Sequence, residues 1–593
     1  MKGATVQVIA TAGHVDHGKS TLVRALTGME PDRWAQERAR GMTIDLGYAW
    51  TTLPQGPTVA FVDVPGHERF IGNMLAGLGP APAVLMVVAA DEGWREQSSE
   101  HLAAVDALGL THGLLVVTRS DLADPAAATV AGLQRIRETS LGDVLSVSVS
   151  GRTGYGLPLL QAALARLVDD LPAPRTDGRV RLWIDRSFSI RGSGTVVTGT
   201  LAAGSLRLGD VLDVNGSRVR VRGLQSLGRA EDRVAATSRV AVNLRGVSPQ
   251  EVRRGTPLLT PDSWRRTTAV DARTSNDARD LPAEAVLHLG SGAFPVRVRP
   301  LGNRTVRLTF GTSLPLEPGD RGILRNPGKG RLEGGIEVLD VEPPPLRRRG
   351  AAASRGDELD AAPGLPQLQD HVRRRGAVRV PELLRAGVPV AAHPQVRREG
   401  EWLVSRDLWA KWTTLLTAVL IDHDRAQPLE PGLTLGAAGR LTRIPDSALL
   451  LLVAAEAGLE VSDGRVRRPG AVPQLGASEA GVRTIEFLLR AQPYRAPERG
   501  ELDRLRLGRA ELAAAERAGR LLRLTDDVVL LPDAPGLALE LLRQLTVPFS
   551  TSQARAALGT TRRVAVPLLE YLDRSGRTRQ VQPGARIILT ASS

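Results

Sequence analysis

Residues 11–21 read TAGHVDHGKST and follow directly on the apolar run VQVIA of residues 6–10. The stretch from Gly13 to Ser20 fits G-x-x-x-x-G-K-[ST], and the helix-like TLVRALTG continues from it. Strand, glycine loop and helix in that order are what a phosphate-cradling loop requires. Glycines let backbone N–H groups turn inward, Lys19 reaches the outer phosphates, and Ser20 offers its hydroxyl to a hard divalent cation. The candidate binding residues here are Gly13, His14, Val15, Asp16, His17, Gly18, Lys19, Ser20 and Thr21. This loop predicts the first turn of an α/β domain built around a nucleotide.

Three segments further along define which nucleotide. FVDVPGHERF (61–70) ends a strand-like run at Asp63, placed to hold the cation through water, and Gly66 can offer its N–H to the terminal phosphate. VVTRSD (116–121) ends another run at Asp121. Its two oxygens accept from the N1 and N2 donors of guanine, whereas adenine presents an acceptor at N1. SVSGRTGYGL (148–157) supplies Ser150, Gly151 and Arg152 to close over the base. Four elements in this order predict a GTP-hydrolysing core with GTP/GDP and Mg²⁺ as cofactors. TRSD departs from the usual Asn-Lys-x-Asp, so Thr118 is a shorter support for the loop, while Arg119 brings a planar guanidinium to stack on the base.

The chain has 593 residues, which implies roughly four domains at about 150 residues each. No apolar run reaches membrane-spanning length and no signal peptide precedes the first strand, so a cytoplasmic protein without membrane contact is expected. The absence of cysteine excludes disulfides, thiolate zinc sites and thiol catalysis. The net charge is +13, and residues 346–593 carry 37 Arg or Lys against 28 Asp or Glu, or +9. That excess suits a polyanionic partner, or else reflects an arginine-rich composition throughout.

Apolar runs alternating with helical stretches predict βαβ units and a mainly parallel sheet over residues 1–174. LPAPRTDG (171–178) breaks that rhythm, and short β-branched runs punctuated by glycine predict two β-barrels, 175–262 and 263–345. EPPPLRRRGAAASRGDELDAAPG (342–364) reads as a linker over 346–364. Beyond it a unit recurs in which a helix stops at a glycine and leads into two short strands. The stop glycines Gly458, Gly519 and Gly576 are 61 and 57 residues apart. Tandem winged helices are expected at 411–475, 476–535 and 536–593, with a poorer copy at 365–410. An ordinary helical repeat without a ligand is the alternative for the middle copies.

GHVDHGKST, RGMTIDLGYAW, DVPGHERF and RSFSIRGSGTVVTGT together resemble the translational GTPases related to elongation factor Tu. ERARGMTIDLGYAW, FIGNMLAGLGPAPAVLMVVAADEG and the winged-helix tail are similar, within that superfamily, to the bacterial selenocysteine-specific elongation factors. The resemblance implies that Thr43 joins Ser20 and Asp63 at Mg²⁺, and that His67 positions the hydrolytic water when the ribosome triggers the step. A threonine hydroxyl suits a hard cation and an imidazole suits a water.

The same resemblance assigns Asp185, Arg186 and Arg239 to a pocket for the amino acid on a tRNA. A selenol is largely anionic at neutral pH, so guanidiniums there would favour selenocysteine over serine. In the last unit, Val564, Leu568, Leu569 and Leu572 fall on one helical face, and residues 536–593 carry 8 basic and 3 acidic side chains. Arg562, Arg563 and Arg574 are the candidate contacts to an mRNA hairpin, through its backbone charge and splayed bases. The implied function is GTP-dependent delivery of selenocysteyl-tRNA, by a monomer, to the ribosome at in-frame UGA codons near a selenoprotein mRNA hairpin. A general aminoacyl- or initiator-tRNA carrier and a nucleotide-switched DNA-binding regulator remain as alternatives.

Overall fold

Strand β1 (Val6–Ala12) sends Val8 and Ala10 to one face of its sheet and Ile9 to the other, and all three are fully buried. Such a strand belongs in the middle of a sheet covered on both sides, and its unbroken apolar run follows from that position. In the computed structural model, which describes residues 6–31, 45–54, 56–67, 70–190, 194–328, 331–362 and 364–589, that is where it lies. The first domain runs β1, α1 (Lys19–Thr27), β2 (Gly47–Thr52), β3 (Thr58–Asp63), α2 (Ile71–Leu78), β4 (Ala83–Ala89), α3 (Glu96–Ala107), β5 (Gly113–Thr118), α4 (Ala126–Arg137), β6 (Leu145–Ser148) and α5 (Leu157–Asp170). The strand order is β2-β3-β1-β4-β5-β6, with only β2 antiparallel to its neighbour. Loops leaving the ends of β1, β3 and β5 therefore converge on one edge, where ligands bind in open parallel sheets.

The chain divides into two units, Met1–Val396 with Gly400–Leu403, and Arg397–Glu399 with Val404–Ser593. In the first unit the α/β domain is followed by an antiparallel sheet of eight strands between Arg181 and Leu259 around a core that includes Leu182, Val197, Val221 and Val242. A closed six-stranded barrel spans Arg266–Asp340. Its core continues through Leu368, Val372, Val378 and Leu383, so the helices Leu368–Arg375 and Val380–Arg385 are packed on the barrel.

The expected linker at 346–364 contains a packed helix instead. Ala351–Ala361 is helical, and Leu359 is buried with Leu301 and Leu339. Arg355, whose side chain is 4% exposed, bonds Asp271 at 2.9 Å and Asp340 at 2.7 Å. Arg307 also holds Asp271, at 2.7 Å, and Arg374 holds Asp340. Charges this deeply placed persist only when paired. Burial alone would raise the Asp340 carboxyl, yet Arg374 and Arg355 hold it below its ordinary value of 3.8. Its contribution to stability is present above that value and is lost as pH falls through the lower folded one. Arg355→Ala is expected to cost about 3 kcal/mol, the low end for breaking a buried pair, because Arg307 and Arg374 remain. A fall in the first unit's unfolding temperature would register it.

In the second unit three modules repeat helix, helix, helix and hairpin. The last comprises Ala534–Leu542, Thr551–Ala557, Arg562–Arg574 and the paired strands Thr578–Gln582 and Ala585–Ile588. The stop glycines all have left-handed φ, 67° at Gly458 and 69° at Gly519 and Gly576. Each is followed by the same bond, from Leu459, Arg520 or Arg577 N–H back to the carbonyl of Ala454, Ala515 or Leu572. That pairing closes a helix and turns the chain into the wing. Among the described residues no helix is long and apolar enough to cross a membrane.

Candidate functional site

The loop between β1 and α1 turns through positive φ at Gly13 (138°), Asp16 (62°) and Gly18 (79°). A Cβ at Gly13 would lie 2.2 Å from the Val87 carbonyl oxygen, so only glycine fits. Lys19 is 6% exposed and donates to the carbonyls of Gly13 (3.0 Å) and His14 (2.7 Å), curling the loop around its ammonium. Two α3 side chains hold the first half of the loop: Gly13 N–H donates to His101 Nδ1 at 3.0 Å and Val15 N–H to Gln97 Oε1 at 3.2 Å. Accepting that bond requires a neutral imidazole. Burial, with Lys19 adding to it, pushes His101 down to about 3. Burial likewise pushes His17 down to about 4.

At the end of β3, Asp63 is fully buried and accepts from the hydroxyls of Thr11 and Ser20, each at 2.6 Å. Burial raises its carboxyl above the ordinary value against the pull of those bonds. A divalent cation beside it would restore the charged form, since bound ions dominate local pKa values. A Cβ at Gly66 would stand 2.6 Å from Val15 N and 2.7 Å from Lys19 Nζ, so the backbone after Asp63 presses on the loop. His67 follows, its ring 6.1 Å from that of Phe70. Thr43 lies outside the described residues. The polar set Lys19, Ser20 and Asp63 fits a phosphate chain carrying a hard cation.

At the base end the geometry revises two expectations. Thr118, though shorter than Asn, still supports the loop, because its hydroxyl donates to the His17 carbonyl at 2.7 Å. Arg119 does not present a free guanidinium for stacking. Its charged end is bound by Asp91 at 3.0 Å, by Glu92 at 2.8 Å and by the Asp16 carbonyl. The Ser150 hydroxyl, with Arg152 at 3.2 Å, holds the Asp121 carboxyl below its ordinary value. Asp121 is thus a fixed anionic acceptor. Gly151 sits on Thr21, with space for a Cβ only 3.1 Å from Thr21 Cγ2.

Asp185, Arg186 and Arg239 come together at the junction of the first domain and the eight-stranded sheet. Asp185 binds Arg239 through both carboxylate oxygens and accepts from Thr198 Oγ1 at 2.7 Å. The Arg239 guanidinium lies 3.8 Å from the centre of the Tyr48 ring, and that of Arg186 5.4 Å from it. Arg186 pairs with Asp45 at 2.9 Å and donates to the Leu46 carbonyl. Burial raises the Tyr48 hydroxyl far above its ordinary range, and among the described residues that hydroxyl has no hydrogen-bond partner. The two arginines are balanced by Asp185 and Asp45, so the cluster offers placed donors rather than net positive charge. Tyr48, Asp45 and Thr198 lie in stretches that carry the family resemblance, RGMTIDLGYAW and RSFSIRGSGTVVTGT, but their place beside Arg186 and Arg239 was not legible in the sequence. His101, Gln97 and Thr11 escaped as well, each belonging to an unremarkable helix or strand.

In the last module Val564, Leu568, Leu569 and Leu572 are buried, and Arg562 and Arg574 are exposed. Arg563 is exposed as well, and it has a second role. It donates to the carbonyls of Asp527 (2.8 Å), Ala496 (2.8 Å) and Pro497 (2.9 Å) and so clamps this module to the one before it.

Residues 4–170 match the elongation factor Tu GTP binding domain, and residues 540–583 match the winged helix of elongation factor SelB. The selenocysteine-specific elongation factor of Escherichia coli (strain K12) is 30% identical over 612 residues, covering 97% of each chain. That of Desulfomicrobium baculatum is 29% identical over 637 residues, covering 97% of this chain and 98% of its own. A crystal structure of a bacterial selenocysteine-specific elongation factor shares the fold with a TM-score of 0.77 at 23% identity, over 98% of this chain and 100% of the other. The expected plan of a P-loop GTPase domain, β-barrel domains and a winged-helix tail is therefore borne out. The chain belongs to the selenocysteine-specific elongation factors, translational GTPases that join an elongation factor Tu-type GTP-binding domain to winged helices.

Proposed function

We propose that the chain carries selenocysteyl-tRNA to the ribosome at in-frame UGA codons, acting in the cytoplasm as a monomer and tethered to a selenoprotein mRNA hairpin by residues 536–593. The observation that carries this reading is the cluster of Arg239, Asp185, Arg186 and Tyr48, in which two guanidiniums lie on one aromatic ring beside fixed carboxylates. A selenolate entering beside Tyr48 would accept from donors already oriented by Asp185 and Asp45, whereas a serine hydroxyl offers no charge to match. Hydrogen bonds to charged groups are worth about 1.5–3 kcal/mol, or about 10- to 100-fold in affinity. Arg239→Ala is expected to remove about that much preference, measured as the ratio of ester-hydrolysis rates of selenocysteyl- and seryl-tRNA bound to the GTP-loaded chain.

Within the nucleotide site, Lys19 would hold the phosphates while Ser20, Asp63 through water and Thr43 would hold Mg²⁺, which would offset the charge of the transferring phosphoryl group. Asp121 selects guanine, with Thr118 tying the base end to the loop. His67 orients the attacking water. Phosphoryl transfer to water needs positioning more than covalent chemistry, so the intrinsic step is slow and an external trigger sets its timing. Arg562 and Arg574 are the tail residues offered to the hairpin. Reconstituted translation of a message with an in-frame UGA tests the whole reading: insertion at UGA should require this chain and the adjacent hairpin, and insertion that ignores the hairpin favours a general aminoacyl-tRNA carrier.

A further inference from the structure

In each tail module the second and third helices form a helix-turn-helix pair, and in such pairs the later helix is the one that meets nucleic acid. In the last module that helix, Arg562–Arg574, exposes Arg562, Arg563, Glu570 and Arg574, and residues 562–584 hold five arginines against two acids. The first of the three modules has the opposite character. Its later helix, Ser447–Glu456, exposes between its terminal residues only Ala448, Leu451, Leu452 and Ala455. Their spacing is i, i+3, i+4 and i+7, so the stripe turned to water is apolar, while Leu449, Leu450, Val453 and Ala454 are buried. Residues 444–464 hold four acids, Asp446, Glu456, Glu460 and Asp463, and no Lys or Arg. Arg440 and Arg443 come just before, so residues 435–464 carry two basic and four acidic side chains in a chain of net charge +13.

A polyanion gains nothing from such a face. Leu451 and Leu452 are 43% and 41% exposed, and Leu441, at the end of the preceding helix, is 54% exposed. The helices Leu435–Thr442 and Ser447–Glu456 also form a hollow of about 280 Å³, lined in part by Leu435, Ile444, Pro445 and Leu450. Ser447 lines it too, and Leu451 follows one helical turn later, so the hollow borders the stripe. In the wing, Glu460 and Asp463 are exposed and have no ion pair among the described residues, whereas Glu456 is held by Arg397 at 2.5 Å. Contiguous apolar side chains left in water mark a contact surface. An apolar stripe beside unpaired carboxylates complements a helix that has an apolar stripe of its own and Lys or Arg along its flanks.

We propose that this module docks a basic amphipathic helix of a partner protein, with Leu441, Leu451 and Leu452 as apolar anchors and Glu460 and Asp463 as the charged rim. The site does not depend on which tRNA the chain carries. The test uses the full chain and a synthetic helical peptide with leucines at i, i+3, i+4 and i+7 and lysines at its other positions. The same residues scrambled, so that no stripe forms, make the control. Fluorescence anisotropy should show the striped peptide binding at least about tenfold tighter than the scrambled one, the scale set by a few apolar anchors. L451E/L452E should remove that difference with the unfolding temperature unchanged. E460Q/D463N should weaken binding about threefold at low salt and by less at high salt, since exposed charge pairs are screened. Asparagine keeps the left-handed φ of 52° at position 463 accessible.

Equal binding of the two peptides, or binding that both variants leave unchanged, overturns the site. So does a lower unfolding temperature of L451E/L452E together with full binding by E460Q/D463N, which makes the leucines structural. A single-stranded RNA whose binding falls in L451E/L452E makes the face a nucleic-acid site, and a concentration-dependent dimer lost in that variant makes it a contact between copies. Either result overturns the proposal.

Discussion

Asp121→Asn is expected to weaken GTP binding by about 100- to 1000-fold and to turn the site toward xanthosine triphosphate. The carboxylate is held ionised by the Ser150 hydroxyl and by Arg152 at 3.2 Å, so both its oxygens are acceptors. Guanine presents two donors to it, at N1 and N2. Asparagine replaces one acceptor with a donor that faces the N2 amino group. Losing a charge-assisted bond and opposing two donors together cost about 3–4 kcal/mol. Xanthine, with N1–H beside a carbonyl at position 2, matches the amide. Titration of GTP and xanthosine triphosphate against wild type and variant checks this, and a variant that keeps full GTP affinity would remove Asp121 from the base site.

His67→Ala is expected to slow ribosome-triggered GTP hydrolysis by about 10²- to 10⁴-fold, the usual worth of a positioned proton-handling group, with GTP affinity within about twofold of wild type. The asymmetry follows from placement. Gly66, immediately before it, presses on Val15 and Lys19, which places the histidine at the phosphate end of the site. Single-turnover hydrolysis at saturating ribosomes separates the two effects. Equal losses in affinity and rate would make His67 a structural residue.

The phosphate loop, Asp63 and Asp121 were legible because phosphate and guanine demand particular residue types at fixed positions beside strand ends. The winged modules were legible through Gly458, Gly519 and Gly576, since few residues other than glycine close a helix at left-handed φ. What stayed hidden depends on contacts between distant segments. His101 reaches Gly13 across 88 residues, and no local pattern marks a helical histidine as a loop support. Tyr48 is a strand residue until Arg239 is folded onto it. Residues 346–364 look like a linker by their Pro, Gly and Arg content, yet Ala351–Ala361 within them is a helix held by Arg355 on Asp271 and Asp340 and by Leu359 on Leu301 and Leu339. Arg563 reads as a surface arginine until the carbonyls of the preceding module are folded onto it.

A carrier made specific for selenocysteine by the Arg239 and Tyr48 cluster should shield one aminoacyl ester and not the other. Spontaneous hydrolysis of the aminoacyl ester tests it most directly, measured for selenocysteyl-tRNA and for seryl-tRNA of the same sequence with the chain and a non-hydrolysable GTP analogue. The predicted result is that hydrolysis slows for the selenocysteyl ester at chain concentrations that leave the seryl ester unprotected. Equal protection of both esters would contradict it.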